Sequence, residues 1–144
     1  MKKLLYAIVI AQLAGLMGSV FTDTGIWYKN LAKPFFQPPN YLFGIVWPIL
    51  FLLMGIALYL VWGKQPAMKL FGIQLILNIL WSALFFGLKQ PLIALIEIFV
   101  LWYFIYKTTI EFYKINKTAA YLFIPYLLWV SFAIVLNLSI VILN

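Results

Sequence analysis

The chain has 144 residues, of which 67% are hydrophobic and 9% are charged, and its mean hydropathy is +1.08. Soluble domains carry about 25% charged residues, so this composition excludes a water-soluble domain and predicts an integral membrane protein. The sequence has no His, Cys or Arg, which excludes disulfides, thiolate or imidazole metal sites and a Ser-His-Asp triad. The lysines behind the net charge of +7 are scattered, so we predict no nucleic-acid partner.

Five apolar segments are each long enough to cross a bilayer as a helix, which takes about 20 residues. These segments cover residues 4–22, 44–62, 68–88, 91–113 and 118–143. The last three connections are short, so consecutive helices are expected to be antiparallel. The predicted fold is all-α: residues 1–144 form one membrane domain, a bundle of five transmembrane helices.

The connection between the first two segments, residues 23–43, is long and unlike a solvated linker. It contains Pro34, Pro38 and Pro39, which favour irregular or extended backbone, and a short interfacial helix is predicted over Ile26–Ala32. The loop is also rich in Trp, Tyr and Phe. A long, aromatic loop must bury its rings, and long ordered loops often act as lids, so we expect this structured loop to cover a site.

The distribution of lysines predicts the topology. One side of the bundle holds Lys2, Lys3, Lys64, Lys69, Lys107, Lys114 and Lys117, and the other holds Lys29, Lys33 and Lys89. Because lysine accumulates in cytoplasmic loops, the N-terminus is expected in the cytoplasm, with the loop and the C-terminus outside. An all-lysine basic set with abundant Ile, Phe and Asn is typical of AT-rich bacteria, so the expected location is a bacterial plasma membrane.

Three predicted helices place aromatic and amide side chains on one face. These residues are Trp47 and Phe51 in the second helix, Gln74, Asn78, Trp81 and Phe85 in the third, and Tyr126, Trp129, Ala133 and Asn137 in the fifth. Their spacing of three or four residues aligns them along a helix. Two interpretations stay open: interhelical hydrogen bonds and packing, or the wall of a cavity with aromatic surfaces and polar anchors.

Glu97 lies within the fourth predicted helix. An ionisable residue inside a membrane is a functional hypothesis by default. The alternative is structural, because a neutral, hydrogen-bonded carboxyl group can hold two helices together. The sequence leaves both interpretations of Glu97 open.

Several short motifs occur in order over nearly the whole chain. They are Trp27-Tyr28, Lys33-Pro34-x-Phe36-x-Pro38-Pro39, Phe43-Gly44-x-Val46-Trp47, Gln74-Leu75-x-Leu77-Asn78-x-x-Trp81, Phe85-Phe86-Gly87, Ala94-Leu95-Ile96-Glu97, Pro125-Tyr126-Leu127-x-Trp129-x-x-Phe132-Ala133 and Leu136-Asn137. Together they resemble the TspO/MBR family of tryptophan-rich sensory proteins and mitochondrial translocator proteins. The resemblance implies a five-helix bundle, usually a homodimer, with a ligand cavity open toward the first loop.

The resemblance also implies ligands and site residues. The ligands are porphyrins such as protoporphyrin IX, bound without a covalent cofactor, and isoquinoline-carboxamide or benzodiazepine-type molecules. The ligand-binding residues carried over by motif are Tyr28, Pro39, Trp47, Phe51, Asn78, Trp81, Phe85, Trp129, Ala133 and Asn137, and Gln74 joins them from the polar stripe.

The chemistry of a porphyrin predicts further roles for lysine and tryptophan side chains near the cavity. Lys29 and Lys33 are expected to pair with its propionates at the cavity mouth. Some bacterial relatives are described as promoting light-dependent porphyrin breakdown, and for that reaction Trp47 and Trp81 are hypothetical redox neighbours. A binding or sensor protein, a light-dependent enzyme and a transporter of porphyrins or other small hydrophobic molecules remain as alternatives.

Overall fold

The computed structural model describes residues 2–144, and in this range the chain is helical with no strand. The helices are α1 (Lys2–Phe21), α2 (Ile26–Asn30), α3 (Asn40–Leu60), α4 (Ala67–Ser82), α5 (Pro91–Ile115) and α6 (Lys117–Leu143), and a π-helical turn (Ala83–Gly87) extends α4. Five of these helices, counting α4 with its π-helical turn, are long and apolar enough to cross a membrane. The predicted all-α membrane bundle is confirmed.

The start of α3 differs from the prediction. The helix begins at Asn40, four residues before the predicted Gly44, and the residue before it, Pro39, has extended backbone with φ −59° and ψ 148°. The irregular segment therefore ends at Pro39, and the polar and aromatic residues that follow form the first turn of α3. In this article residues 22–39, which include α2, are called the covering loop.

Contact between α1 and α3 depends on small residues. Ala7, Ala11 and Ala14 of α1 are buried, and a Cβ atom placed on Gly55 of α3 would lie 2.8 Å from the Cα atom of Ile8. The backbones can approach this closely only because glycine has no side chain. Small residues on both helices thus allow α1 and α3 to pack closely.

An aromatic cluster fills the end of the bundle opposite the covering loop. Phe71, Phe112 and Phe123 come from α4, α5 and α6 and are almost completely buried. The ring centroids of Phe112 and Phe123 are 4.9 Å apart, and those of Phe71 and Phe112 are 6.4 Å apart. This end of the bundle is therefore closely packed with aromatic rings.

The π-helical turn joins the bundle to the covering loop. The backbone N–H of Leu88 donates to the carbonyl oxygen of Ala83 at 2.8 Å, five residues earlier, so this turn is wider than an α-helical one. The wide turn brings Phe85 within 5.9 Å of Trp27 and Phe86 within 5.5 Å of Tyr28, measured between ring centroids. Two residues of α2 thereby rest on this end of the bundle.

Candidate functional site

A cavity of about 500 Å³ lies beneath the covering loop, between α1, α3, α4 and α6. This volume is within the range of pockets that hold small organic ligands. Nine residues predicted for the site line the cavity: Tyr28, Trp47, Phe51, Asn78, Trp81, Phe85, Trp129, Ala133 and Asn137. The structure therefore brings together residues that are far apart in the sequence.

The aromatic wall of the cavity is built from two groups of rings. Trp47 and Trp129 meet edge to face, with centroids 6.5 Å apart and an interplanar angle of 89°. In the second group, Trp81 stacks on Phe85 at 5.1 Å and 25°. Such pairs fix one another's orientation, so the cavity is lined by ordered aromatic surfaces.

The sequence left open whether the amides form interhelical hydrogen bonds or line a cavity, and in the structure Asn78 and Asn137 do both. Asn78 lines the cavity while its Nδ2–H donates to the Tyr126 hydroxyl oxygen at 2.7 Å. Asn137 also lines it, accepting from the Trp81 Nε1–H at 3.0 Å and donating to the carbonyl oxygen of Pro91 at 2.9 Å. Interhelical hydrogen bonds therefore hold the cavity wall in place.

Gln74 lies behind this wall. It is completely buried and does not line the cavity. Its Oε1 accepts a hydrogen bond from the Tyr126 hydroxyl group at 2.8 Å. Tyr126 thereby links Gln74 to Asn78, so Gln74 positions the wall without facing the open space. Pro39, also predicted for the site, is outside the lining and precedes the first residue of α3.

The two lysines expected at the cavity mouth do not line the cavity. The Lys33 ammonium group donates to the carbonyl oxygens of Tyr28 at 2.6 Å and Leu31 at 3.3 Å, and it lies 4.3 Å from the Tyr28 ring centroid. Carbonyl groups at a helix C-terminus attract cations, and the end of α2 holds Lys33 in this way. Lys29 is exposed.

Within the covering loop, Gln37 is a lining residue that sequence reasoning missed. Its Nε2–H donates to the Tyr28 hydroxyl oxygen at 3.1 Å, while its Oε1 is buried and has no hydrogen-bond partner among residues 2–144. Burial raises the pKa of the Tyr28 phenol, and the hydrogen bond from Gln37 acts in the opposite direction. Tyr28 is therefore a neutral hydroxyl at the edge of the cavity. In the sequence, the position of this polar residue between the prolines of an aromatic loop could have indicated that it belongs to the site.

The α1 side of the cavity was also missed. It is lined by Gln12, Gly15, Gly18, Ser19 and Thr22. In the sequence, Gly15, Gly18 and Ser19 belong to a stripe of small residues, a pattern that is typical of helix packing. Gly15 still packs closely on α3, since a Cβ atom placed on it would lie 2.8 Å from Cδ2 of Phe51, and both residues also line the cavity.

Glu97 is 8% exposed, and neither carboxyl oxygen has a hydrogen-bond partner among residues 2–144. The hydrogen-bonded bridge between helices considered from the sequence is therefore not formed within the described chain. Glu97 does not line the cavity.

The residues of the candidate site lie within the part of the chain that matches known proteins. The model of the TspO/MBR family matches residues 7–143. The Tryptophan-rich protein TspO of Chlorobaculum tepidum is 46% identical over 139 residues, which cover 90% of the chain and 88% of that protein. The protein of the same name from Archaeoglobus fulgidus is 43% identical over 148 residues, covering 97% and 96%. The Translocator protein of Homo sapiens is 36% identical over 119 residues, covering 77% and 70%.

Proposed function

The chain belongs to the TspO/MBR family, and from this and the geometry of its cavity we propose that it binds a tetrapyrrole such as protoporphyrin IX in the membrane. The observation that carries the proposal is the cavity of about 500 Å³ lined by Trp47, Trp81 and Trp129. Each of these residues comes from a different helix, so the aromatic surface exists only in the folded bundle.

The physical chemistry of the cavity suits a flat, conjugated ligand. Burial of apolar area contributes roughly 25 cal/mol per Å², and stacking on Trp or Phe rings adds to it. The Tyr28 hydroxyl and the Asn78 amide supply polar groups at the same cavity. The sequence has no His or Cys, so a metal-free porphyrin fits these residues better than a ligated haem. Isoquinoline-carboxamide and benzodiazepine-type ligands are included in the proposal on the same grounds.

Equilibrium titration with protoporphyrin IX tests this function. Binding is followed by the absorbance of the porphyrin, so that removal of a tryptophan does not remove the signal. Trp47→Leu is expected to weaken binding about tenfold or more, because it deletes stacking surface. The matched control is Trp62→Leu, since Trp62 does not line the cavity. Equal affinity of both variants and the wild type would contradict the proposal.

Light-dependent loss of the bound porphyrin is the second candidate function, favoured because Trp47 and Trp81 both line the cavity. In this reaction the porphyrin absorbs light and is oxidised, and dioxygen is the oxidant. Dioxygen is reduced as the porphyrin is oxidised, and the two tryptophans are redox-active side chains beside the ring. Trp47→Phe and Trp81→Phe are each expected to slow porphyrin decay under light. Unchanged decay in both variants, at a rate above that of protein-free porphyrin, would remove the tryptophans from the mechanism.

A homodimer within the bilayer is proposed on the family resemblance. Cross-linking in native membranes followed by mass determination of the product tests it. A product of twice the chain mass is expected, and its absence at saturating cross-linker would contradict the dimer.

A further inference from the structure

The covering loop is joined to the end of α6 by a reciprocal pair of hydrogen bonds. The backbone N–H of Ala32 donates to Oδ1 of Asn144 at 3.0 Å, and Nδ2 of Asn144 donates to the carbonyl oxygen of Ala32 at 2.9 Å. The two residues are 112 positions apart in the sequence. One side-chain amide therefore satisfies both backbone groups of a single loop residue.

Asn144 is itself held in place by α6. Its Nδ2 also donates to the carbonyl oxygen of Ile140 at 2.8 Å, and its backbone N–H donates to the same oxygen at 3.1 Å. Ile140 lines the cavity and packs in one buried cluster with Tyr28 and Phe85. The amide that holds the loop is thus anchored one helical turn from the cavity wall.

The remaining contacts of the covering loop with the bundle are chiefly aromatic. Trp27 and Tyr28 meet Phe85 and Phe86, and Phe36 meets Phe132 at 6.4 Å. One buried acceptor in the loop, Oε1 of Gln37, has no partner within the described part of the chain in this position, and an unpaired buried acceptor costs free energy. The closed position therefore combines an unfavourable group with directional hydrogen bonds to Asn144.

From this geometry we infer that Asn144 is a positioning residue that fastens the covering loop over the cavity, and that the loop must release Asn144 before a ligand can exchange. The consequence for ligand exchange rests on the proposed function. The fastening itself does not, because the hydrogen bonds belong to the chain alone.

Hydrogen exchange of the loop amides tests the fastening without a ligand. Asn144→Ala removes both bonds to Ala32 and is expected to accelerate exchange of the Ala32 amide about tenfold, because each such bond contributes a modest net stabilisation. Ser139→Ala is the matched control, since its hydroxyl bonds only within α6, to the carbonyl oxygen of Val135. Core amides around Leu101 are expected to exchange at the wild-type rate in both variants.

Two outcomes would overturn the inference. One is an Ala32 exchange rate in Asn144→Ala equal to that of Ser139→Ala. The other is equal acceleration of loop and core amides, which would mean that Asn144 holds the whole bundle and not the loop.

Stopped-flow measurements with protoporphyrin IX supply the second arm. In Asn144→Ala both association and dissociation are expected to become several-fold faster, as for a gate that opens more often. Rates unchanged from Ser139→Ala, despite faster loop exchange, would overturn the gating role. Complete absence of porphyrin binding to the wild type would defeat the proposed function and leave the exchange experiment to decide the fastening.

Discussion

The indole Nε1–H of Trp81 donates to Oδ1 of Asn137 at 3.0 Å, which ties the aromatic face of α4 to α6 at the cavity wall. Both residues line the cavity. The orientation of the Trp81 ring is therefore set by a neighbouring helix, and the bond couples the shape of the cavity to the packing of the bundle.

Replacing Asn137 with Leu is expected to weaken porphyrin binding about tenfold and to lower the free energy of unfolding by about 1–2 kcal/mol, because the partly buried indole N–H of Trp81 and the carbonyl oxygen of Pro91 both lose their partner. Titration and thermal unfolding measure the two effects. The control is Ser131→Ala, which removes the bond from the Trp102 Nε1–H at 2.8 Å, away from the cavity. It is expected to lower stability alone. If both variants bound porphyrin with similar affinity, the orientation of Trp81 would not determine binding.

Gly55→Ala is expected to destabilise the bundle, because the added Cβ atom would lie 2.8 Å from the Cα atom of Ile8 and 3.2 Å from the carbonyl oxygen of Ala7. Backbone atoms cannot move aside as a flexible side chain can. The control is Gly72→Ala in α4, where a Cβ atom meets nothing within 4 Å and a gain of roughly 0.5–1 kcal/mol is expected from helix propensity. Thermal unfolding of the two variants should therefore shift in opposite directions, and a neutral Gly55→Ala would contradict the close helix contact.

Substitutions of Glu97 and Gln74 by Leu are expected to change the unfolding temperature in opposite directions. Glu97→Leu is expected to raise the unfolding temperature, because both carboxyl oxygens are buried without a partner and burial of an unpaired polar group is costly. Gln74→Leu is expected to lower it, because the Tyr126 hydroxyl loses its acceptor. If Glu97→Leu proved as destabilising as Gln74→Leu, the carboxyl group would have a partner that residues 2–144 do not supply.

The membrane orientation predicted from the lysines is open to direct labelling. The chain has no Cys, so a single cysteine at Lys29 or Lys114 can be tested with a membrane-impermeant thiol reagent on intact cells. Labelling of the Lys29→Cys variant and protection of Lys114→Cys are expected from the excess of lysine on the cytoplasmic side. The reverse pattern would contradict the predicted topology.

The spans could be predicted from the sequence because hydropathy depends on local composition alone. The start of α3 was placed at Gly44 because Tyr41 and Phe43 were interpreted as part of the aromatic loop. The π-helical turn was missed for a different reason. Residues 83–87 continue an ordinary helical pattern, and the wide turn is recognisable only when Trp27 and Tyr28 pack against its phenylalanines.

The aromatic lining of the cavity was predictable because stripes spaced by three or four residues reveal a helix face. The polar details were not. Lys33 was expected to face a ligand, but its distance of 2.6 Å to the Tyr28 carbonyl oxygen depends on where α2 ends. The bonds between Asn144 and Ala32 join residues that nothing local connects, so no spacing rule could have indicated them.

The affinity of protoporphyrin IX for a variant with a filled cavity tests the central claim most directly. Ala133 lines the cavity, whereas Leu128 of the same helix is 64% exposed on the outside of the bundle. Ala133→Phe is predicted to reduce affinity at least about tenfold by occupying space in the cavity, and Leu128→Phe is predicted to bind like the wild type. Wild-type affinity in a folded Ala133→Phe protein would show that the porphyrin does not occupy this cavity.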